Sequence, residues 1–370
     1  MANKTARLGD LATYINGYAF KPADWGDTGL PIIRIQDLNG NSYQLNRYDG
    51  EYPERIEVND GDVLISWSAS LGVYVWQRGK ALLNQHIFKV VFDKLPVNKE
   101  YFVFAVEHKL AEMESKTHGA TMKHIVKKDF DGTTIPYPPI EKQAEIADHL
   151  RRITSLIDRQ AEQLLLLDQL VKSRFIELFG DLASPDCKWE TKKLVETCVA
   201  ADDIKCGPFG TQLSKDEYVD SGVAVWEIPQ INSLFATLPT HYLTEEKAKE
   251  LDAYSIKAGD IAMSRKGNVG KCAVFPISFA SGIIHSDVLR IRVDGSQVLP
   301  LFMMHQLHYS GSVQHQIELV SAGAIMAGIN VTKLKQISVH IPPMRLQQQF
   351  VAFVEQTDKS KLCGKMEVAA

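Results

Sequence analysis

The amino-acid sequence repeats itself, and this repeat constrains the fold more than any other feature. The stretch GDVLISWSASLG at residues 61–72 returns 198 residues later as GDIAMSRKGNVG at 259–270. Three further pairs of segments match at offsets that grow from 193 to 204 residues: 29–40 with 222–233, 82–93 with 283–294, and 118–146 with 322–350. Small insertions in loops explain the growing offset. The sequence therefore predicts two copies of one domain.

Each copy is predicted to be an α/β domain, and a chain of 370 residues is long enough for two such domains, each with its own core. Alternating apolar residues predict strands at 29–40 and 222–233. Each copy is predicted to end in a strand, two prolines and a helix. Proline favours an extended backbone for the residue before it and is itself favoured at the first position of a helix. Asp62 and Asp260, each preceded by glycine, are predicted to cap turns.

A long helix is predicted between the two copies. No glycine or proline occurs from Ile140 to Phe179. Apolar residues recur there with the three- and four-residue spacing of a coiled coil, at Ile146, Leu150, Ile153, Ile157, Leu164, Leu167, Val171 and Leu178. Some forty residues make a rod of about 60 Å, which needs a second helix to cover its apolar stripe. Phe350 and Val354 repeat Ile146 and Leu150 at an offset of 204 residues, so an antiparallel pair with the C-terminal helix is expected.

These patterns give four segments: a first domain at 1–139, a central helix at 140–182, a second domain at 183–343 and a C-terminal helix at 344–370. The composition, with 45% hydrophobic and 23% charged residues, is that of a soluble globular protein. Since neither a signal peptide nor a membrane span is evident, we expect a cytoplasmic protein with no membrane partner. The five cysteines form no C-x-x-C pair, which argues against a disulfide framework or a zinc site.

The order of these motifs and their duplication resemble the specificity subunit of type I restriction-modification systems. The resemblance rests on two GD-x-x-x-S segments and on two Pro-Pro helix starts, PPIEKQAEI and PPMRLQQQF, and it covers nearly the whole chain. It implies two target recognition domains, each reading one half of a split, asymmetric sequence in double-stranded DNA. It further implies helices that set the spacing, a non-catalytic role in DNA methylation and no cofactor.

The resemblance also implies partners. Methyltransferase subunits, two in number, are expected to dock on the coil and its junctions, and restriction subunits to join through the assembled complex. Family members carry a C-terminal helix about as long as the central one. In this chain Thr357 and Lys361 match the positions of Ile153 and Ile157. We therefore expect the coil to fade beyond Val354 and the C-terminal helix to be truncated.

The net charge of −4 gives no overall signature of a nucleic-acid partner. Candidate DNA-facing residues are therefore sought in two short segments that are locally basic. Residues 115–128 hold four lysines and no acid, and residues 264–271 hold three basic residues and no acid. With the serines of the first repeated loop, the candidates are Ser66, Ser68, Ser70, Lys116, Lys123, Lys127, Lys128, Ser264, Arg265, Lys266, Asn268 and Lys271. A solvated loop is the alternative for each, and whether Arg265 contacts a base or a phosphate stays open.

Catalytic motifs are not evident in the sequence. The stretch GNVGK lacks the first glycine and the closing Ser/Thr of a phosphate-binding loop. Tyr137 stands before the Pro-Pro pair, where amino-methyltransferases have Asn or Asp. His305, His308 and His315 have helical spacing without a metal-binding frame, so they are interpreted as surface or interface residues. A freestanding DNA-binding regulator and a coiled-coil scaffold that binds only protein remain as alternative functions.

Overall fold

The computed structural model describes residues 4–40, 45–116, 125–184, 186–321 and 328–369, except for the side chains of 114–116 and 363–369. The chain divides into two compact units, residues 1–158 and 159–370. Among the described residues, no helix has both the length and the apolar character needed to cross a membrane.

Within its described residues, the first unit contains ten strands together with several helices. Its strands are β1 (Thr5–Arg7), β2 (Thr13–Asn16), β3 (Leu30–Ile33), β4 (Arg47–Tyr48), β5 (Glu57–Val58), β6 (Val63–Ser66), β7 (Gly72–Val75), β8 (Ala81–Leu83), β9 (Ile87–Val91) and β10 (Thr134–Pro136). Its α-helices are α1 (Leu8–Leu11), α2 (Ile35–Leu38), α3 (Lys99–Lys116), α4 (Lys127–Gly132) and α5 (Ile140–Phe179), of which α5 continues into the second unit.

The second unit has the same strand content in the same order. Its strands are β11 (Glu190–Lys193), β12 (Ile204–Cys206), β13 (Val223–Trp226), β14 (His241–Leu243), β15 (Ser255–Ile256), β16 (Ile261–Ser264), β17 (Cys272–Val274), β18 (Gly282–Ile284), β19 (Val288–Ile291) and β20 (Ser338–Ile341). Its α-helices are α6 (Ile228–Asn232), α7 (Glu245–Glu250), α8 (Pro300–Tyr309), α9 (Gly311–Ser321), α10 (Val331–Leu334) and α11 (Met344–Ala369).

Strand pairing is identical in the two units. The sheet β2-β9-β6-β7 is antiparallel throughout, and β12-β19-β16-β17 repeats it. The sheet β4-β3-β8-β5, with one parallel pair between β3 and β8, returns as β14-β13-β18-β15. The ribbon β1-β10 returns as β11-β20. The duplication predicted from the sequence and the mixed α/β class are thus confirmed.

The repeated Gly-Asp pairs form the same turn. Gly61 and Gly259 have φ angles of +91° and +88°, a region that favours glycine. The next residue accepts a backbone N–H with its carboxylate, from Asn59 to Asp62 at 2.9 Å and from Lys257 to Asp260 at 2.7 Å. The prediction that the aspartates cap turns is confirmed.

A buried glutamine ties each strand-Pro-Pro-helix junction to its unit. Gln143 Oε1 accepts the backbone N–H of Asn98, and Gln347 Oε1 accepts that of Leu299, both at 2.9 Å. Each side-chain amide also donates to the carbonyl of the first proline of its Pro-Pro pair, at 2.8 Å. Both glutamines are fully buried, so these hydrogen bonds satisfy polar groups that have no access to water.

Helix α11 runs antiparallel to the C-terminal half of α5 inside the second unit. The ring of Phe350 lies 5.4 Å from that of Phe175, whereas further along α11 Lys361 contacts Asp168, an earlier residue of α5. Thr357 is buried, and its hydroxyl donates to the carbonyl of Phe353 at 2.9 Å. Contrary to the expectation, the helices stay paired beyond Val354, because the buried Thr357 and the contact of Lys361 with Asp168 take the place of apolar residues.

Candidate nucleic-acid interface

In the first unit, two candidate segments meet at Trp67, the residue that follows β6. Its backbone N–H donates to the carbonyl of His86 at 3.2 Å, and its own carbonyl accepts the N–H of Ile125 at 3.0 Å. Ile125 leads into α4, which begins at Lys127. The fold thus brings the β6–β7 loop, the residue before β9 and the approach to α4 to one place.

The second unit builds the same junction around Arg265, the residue that follows β16. Its N–H donates to the carbonyl of Asp287 at 2.8 Å, and its carbonyl accepts the N–H of Ile329 at 3.1 Å. These three residues follow their counterparts in the first unit by 198, 201 and 204 residues, the offsets of the sequence repeat. We call the set Trp67, His86 and Ile125 the first junction, and Arg265, Asp287 and Ile329 the second junction.

The loop that leaves each junction has the same left-handed residue at its tip. Ala69 has φ +61° and Gly267 has φ +67°, and the two positions are 198 residues apart. Glycine adopts this conformation readily, whereas alanine does so with strain of about 1–2 kcal/mol. The first loop therefore has the same left-handed conformation at its tip as the second loop, although alanine disfavours that conformation.

The side chains at the two junctions differ in chemistry. The Trp67 ring stacks on Phe88 with centroids 5.5 Å apart and meets the edge of His86 at 5.0 Å. The guanidinium of Arg265 instead lies over the ring of Phe209 at 4.9 Å, and its Nε donates to the carbonyl of Ile329 at 3.3 Å. One backbone frame thus presents an aromatic surface in one unit and a cation in the other.

The structure corrects the expectation for three of the serines. Ser66 and Ser264 are fully buried at the ends of β6 and β16, and Ser68 is buried in the following loop. The Ser66 hydroxyl donates to the carbonyl of Ser70 at 2.5 Å and closes the loop. The hydroxyls of Ser66 and Ser264 are shielded from any ligand because all four residues of each strand are buried. Ser70 and Asn268 are exposed.

The lysine candidates whose side chains are described fall into three groups. Lys271 is engaged inside the unit, since its Nζ donates to the carbonyl of Asn232 at 2.8 Å. Lys127 and Lys266 form ion pairs with Asp131 at 2.7 Å and with Asp287 at 2.8 Å. Lys128 is exposed. Lys123 and the side chain of Lys116, which ends α3, lie outside the described residues.

Three residues near the junctions were missed from the sequence: Phe209, His86 and Asp287. The repeat contains a signal for the last two, because they match each other at an offset of 201 residues and flank the strands β9 and β19. No comparable signal identifies Phe209, which approaches Arg265 only through the tertiary fold.

Burial favours the neutral forms of two titratable groups behind the second junction, His308 and Cys206. Burial lowers the pKa of His308, and Lys271 acts in the same direction. The His308 Nε2 accepts the backbone N–H of Cys272 at 3.2 Å. Burial also raises the pKa of the Cys206 thiol, although Arg265 opposes the shift. Positive charge at this surface therefore comes from arginine and lysine side chains.

The predicted coil residues divide along α5. Val171, Phe350 and Val354 are buried in the second unit, and Leu164, Leu167 and Leu178 are partly buried there. In the N-terminal half of the helix Ile146 is partly buried, whereas Leu150, Ile153 and Ile157 are exposed by 36%, 53% and 50%. The C-terminal half of the stripe is thus covered by α11 and the rest of the second unit, and part of the N-terminal half faces solvent.

Groups of three or more His, Cys, Asp or Glu placed to hold a metal ion do not occur within the described ranges. The two junctions carry hydrogen-bond donors, cations and aromatic faces, which are groups that contact nucleic acid, and in the second junction the carboxylate of Asp287 lies among them.

Comparison with known proteins gives a family match over most of the chain. The sequence model for the type I restriction modification DNA specificity domain matches residues 2–166 and again 188–364. The chain is 24% identical over 379 residues to the specificity subunit of the type I restriction enzyme EcoBI from Escherichia coli, covering 94% of this chain and 78% of that protein. It is 22% identical over 378 residues to the MjaVIII specificity subunit from Methanocaldococcus jannaschii, covering 96% and 86%.

Two solved structures share the fold. The S subunit of a type I restriction-modification system from M. genitalium superposes with a TM-score of 0.60 at 14% identity, covering 99% of this chain and 92% of that one. A chain from a study of complex assembly and conformational transition of the type I system gives 0.56 at 16% identity, with the same coverage. At these identities the likeness concerns the fold alone.

Proposed function

The chain belongs to the family of type I restriction modification DNA specificity domains, and from this premise we propose that it is the DNA-recognising subunit of a type I restriction-modification complex. In this proposal each unit reads one half of a split, asymmetric target in double-stranded DNA. The curated relatives carry the name of specificity subunits of type I restriction enzymes, which supports the assignment.

One observation carries the proposal: the two units repeat one backbone junction with different side chains. Trp67 and Arg265 make equivalent hydrogen bonds at the ends of equivalent strands. A duplicated scaffold that varies its exposed side chains suits recognition of two unlike sequences. Each good base contact gives only about 1–3 kcal/mol of discrimination against the wrong base, so two modules together recognise a DNA sequence far more selectively than one module does.

The proposed interface combines residues that the fold leaves accessible around each junction. In the first unit these are Ser70, Lys127 and Lys128, and in the second Arg265, Lys266 and Asn268. Lys116 and Lys123 remain in the proposal on sequence grounds. Lysines are flexible point charges, so we assign them to phosphates, which position the protein without specifying sequence.

The exposed part of the α5 stripe is the proposed site for protein partners. Leu150, Ile153 and Ile157 present apolar area on the N-terminal half of the helix. We assign this area to methyltransferase subunits, two per complex, with restriction subunits joining through the assembled complex. The methyl transfer itself is assigned to those partners, and this chain supplies recognition without catalysis.

The domain limits follow the same scheme. We propose target recognition domains at residues 1–139 and 183–343, with residues 140–182 as the helix that sets their spacing and residues 344–370 as the C-terminal helix. The bounds of the two long helices support this division, since α5 covers Ile140–Phe179 and α11 begins at Met344.

Mapping of methylated bases tests the proposal. The chain is expressed with its cognate methyltransferase subunit in a host that lacks both, and the host genome is sequenced for modified bases. A new motif made of two short blocks around an unread spacer is expected only when both proteins are present. Absence of any new motif, or methyl transfer by the pure chain alone, would refute the proposal.

A matched variant tests the role of the coil. Replacing Ile153 and Ile157 by Glu is expected to abolish methylation and pull-down of the methyltransferase subunit, while the purified variant stays folded because both positions are exposed. A freestanding regulator would instead bind DNA tightly without a partner, and a pure scaffold would not bind DNA even with one. Undiminished methylation by the double variant would remove this surface from the interface.

A further inference from the structure

We propose that Arg265 reads a guanine base within the half-target bound by the second unit. The inference rests on the proposed function and deepens it, because it assigns one side chain to one base and separates that contact from phosphate binding. Its basis is the way in which the fold holds the guanidinium and what lies beside it.

The guanidinium of Arg265 is fixed before any ligand arrives. Its Nε donates to the carbonyl of Ile329, and its face lies 4.9 Å above the ring of Phe209. Within the described residues, Nη1 and Nη2 make no hydrogen bond, so the fork that they form is available to a ligand. A side chain held by a backbone contact and a ring stack loses little entropy when it binds, and such preorganisation favours a specific contact.

The charge balance around the second junction weakens its attraction for a phosphate. Asp287 accepts the backbone N–H of Arg265 with its carbonyl, and its carboxylate lies 2.8 Å from Lys266 Nζ. The carboxylate already offsets the charge of Lys266, so this pair of cations attracts a phosphate less strongly than two unpaired cations would. Base edges in the major groove carry no net charge, so a nearby carboxylate opposes them less than it opposes a phosphate.

The donor pattern selects guanine among the bases. Guanine presents two acceptors, O6 and N7, in the major groove, which match the parallel N–H groups of a guanidinium. Adenine places an amino donor beside its N7, and that donor would face the donors of Arg265. Thymine offers a single acceptor beside a methyl group, and cytosine offers a donor. A fixed fork of donors therefore prefers guanine.

The first unit has no equivalent of this contact at the matching position. Trp67 occupies the equivalent place in the backbone, and its ring is stacked on Phe88. A change at Arg265 should therefore alter one position in one half of the target and leave the other half unchanged. The Arg/Trp difference at one scaffold position also explains how duplicated units read an asymmetric sequence.

Variants of the full chain, each expressed with the cognate methyltransferase subunit, test the inference. Arg265→Ala and Arg265→Lys are compared with Lys249→Ala, which removes an exposed charge on α7 outside the junction. Methylation motifs are mapped in the host, and affinities are measured on wild-type and single-base-substituted duplexes. For both Arg265 variants we expect one guanine to become degenerate, with a loss of about 5- to 150-fold on the wild-type site.

The lysine and alanine variants together separate the two kinds of contact. Lysine keeps the charge without the planar fork but can still contact guanine O6 or N7, so an unchanged motif in both Arg265→Lys and Arg265→Ala would assign the residue to phosphate and overturn the inference. An even loss across all sequences in Arg265→Ala would do the same. Phe209→Leu removes the ring under the guanidinium, and it should relax the same guanine position more weakly than Arg265→Ala.

Failure of the inference is distinguishable from failure of the proposed function. If the wild-type complex methylates a split motif and the Arg265 variants leave it intact, only the guanine assignment falls. If the wild-type complex produces no motif, both fall. Thermal unfolding of each purified variant checks the fold, and Arg265→Gln replaces Arg265→Ala if that variant proves unstable, because glutamine pairs with adenine rather than guanine.

Discussion

Lys361 Nζ lies 2.7 Å from Asp168 Oδ1, and this ion pair joins α11 to α5 within the second unit. Burial lowers the pKa of Lys361, but hydrogen bonds from the lysine to Asp168 and Asp358 outweigh burial and leave the pKa raised. The lysine therefore stays charged in a partly buried position. Helix pairing is thus extended by a polar contact where the coil pattern calls for an apolar residue.

A double-mutant cycle on Lys361→Ala and Asp168→Ala should give a coupling of about 0.2–1 kcal/mol in urea unfolding. The value is small because the Asp168 side chain is 64% exposed and solvent screens the pair. The coupling should shrink further in 1 M salt. Lys359→Ala on the exposed face of α11 serves as the control. A coupling of zero at low salt would mean that the pair does not hold the helices together.

Phe350→Ala should destabilise the second unit by about 3–5 kcal/mol, since it opens a cavity in an aromatic cluster. The Phe350 ring packs against Phe175 at 5.4 Å, Phe179 at 5.6 Å and His305 at 5.2 Å. Leu362→Ala, on an exposed position of the same helix, should change stability by less than about 0.5 kcal/mol. Equal denaturation midpoints for the two variants would contradict this packing.

Acid should destabilise the second unit through His305. Burial lowers its pKa from 6.5 to about 3, with His308 and Lys361 acting in the same direction and Asp168 opposing them. Because the folded state disfavours the proton, the unfolded chain takes it up first as pH falls. Stability from this residue is therefore present above pH 6.5 and is lost between pH 6.5 and about 3.

The replacement His305→Phe isolates this effect from the carboxylates that titrate in the same range. The difference in unfolding free energy between wild type and variant should change with pH below 6.5 and stay constant above it. Urea unfolding at several pH values measures that difference. A difference that is flat across the whole range would show that His305 is protonated normally in the folded chain.

The buried glutamines should stabilise each unit separately. Gln143→Leu leaves the N–H of Asn98 and the carbonyl of Pro138 without their partner, which costs about 1–3 kcal/mol. Gln347→Leu has the equivalent effect in the second unit. Hydrogen exchange should show lost protection only in the unit that carries the substitution. Equal loss in both units would indicate a single cooperative structure.

Lys128→Ala should weaken DNA binding by the assembled complex evenly across sequences and lower the salt slope by about one. Lys127→Ala should have a smaller effect, because Asp131 at 2.7 Å already offsets that charge. Binding titrations from about 50 to 200 mM salt compare the neighbouring lysines. A larger effect for Lys127 than for Lys128 would contradict the assignment.

Much of the architecture was predictable from the sequence. Offsets between repeated segments predicted that strands such as β6 and β16 occupy equivalent places, and the heptad spacing of Ile146 to Val171 predicted α5. Both inferences need only local patterns or letter-by-letter comparison. The exposure of the loop side chains was less predictable, because the sequence alone does not distinguish a serine in a polar loop from a serine at the buried end of a strand.

The sequence by itself determined the duplication, which a comparison of its segments reveals, and the turns at Asp62 and Asp260 and the long helix, which depend on interactions between residues close in the chain. Only the tertiary structure decided which polar residues are available to a partner. Lys271 reaches Asn232 and Arg265 stacks on Phe209, contacts that join residues 39 and 56 positions apart. Burial and hydrogen bonding of this kind depend on how strands pack, and that packing places Arg265 rather than Ser264 at the surface of the second junction.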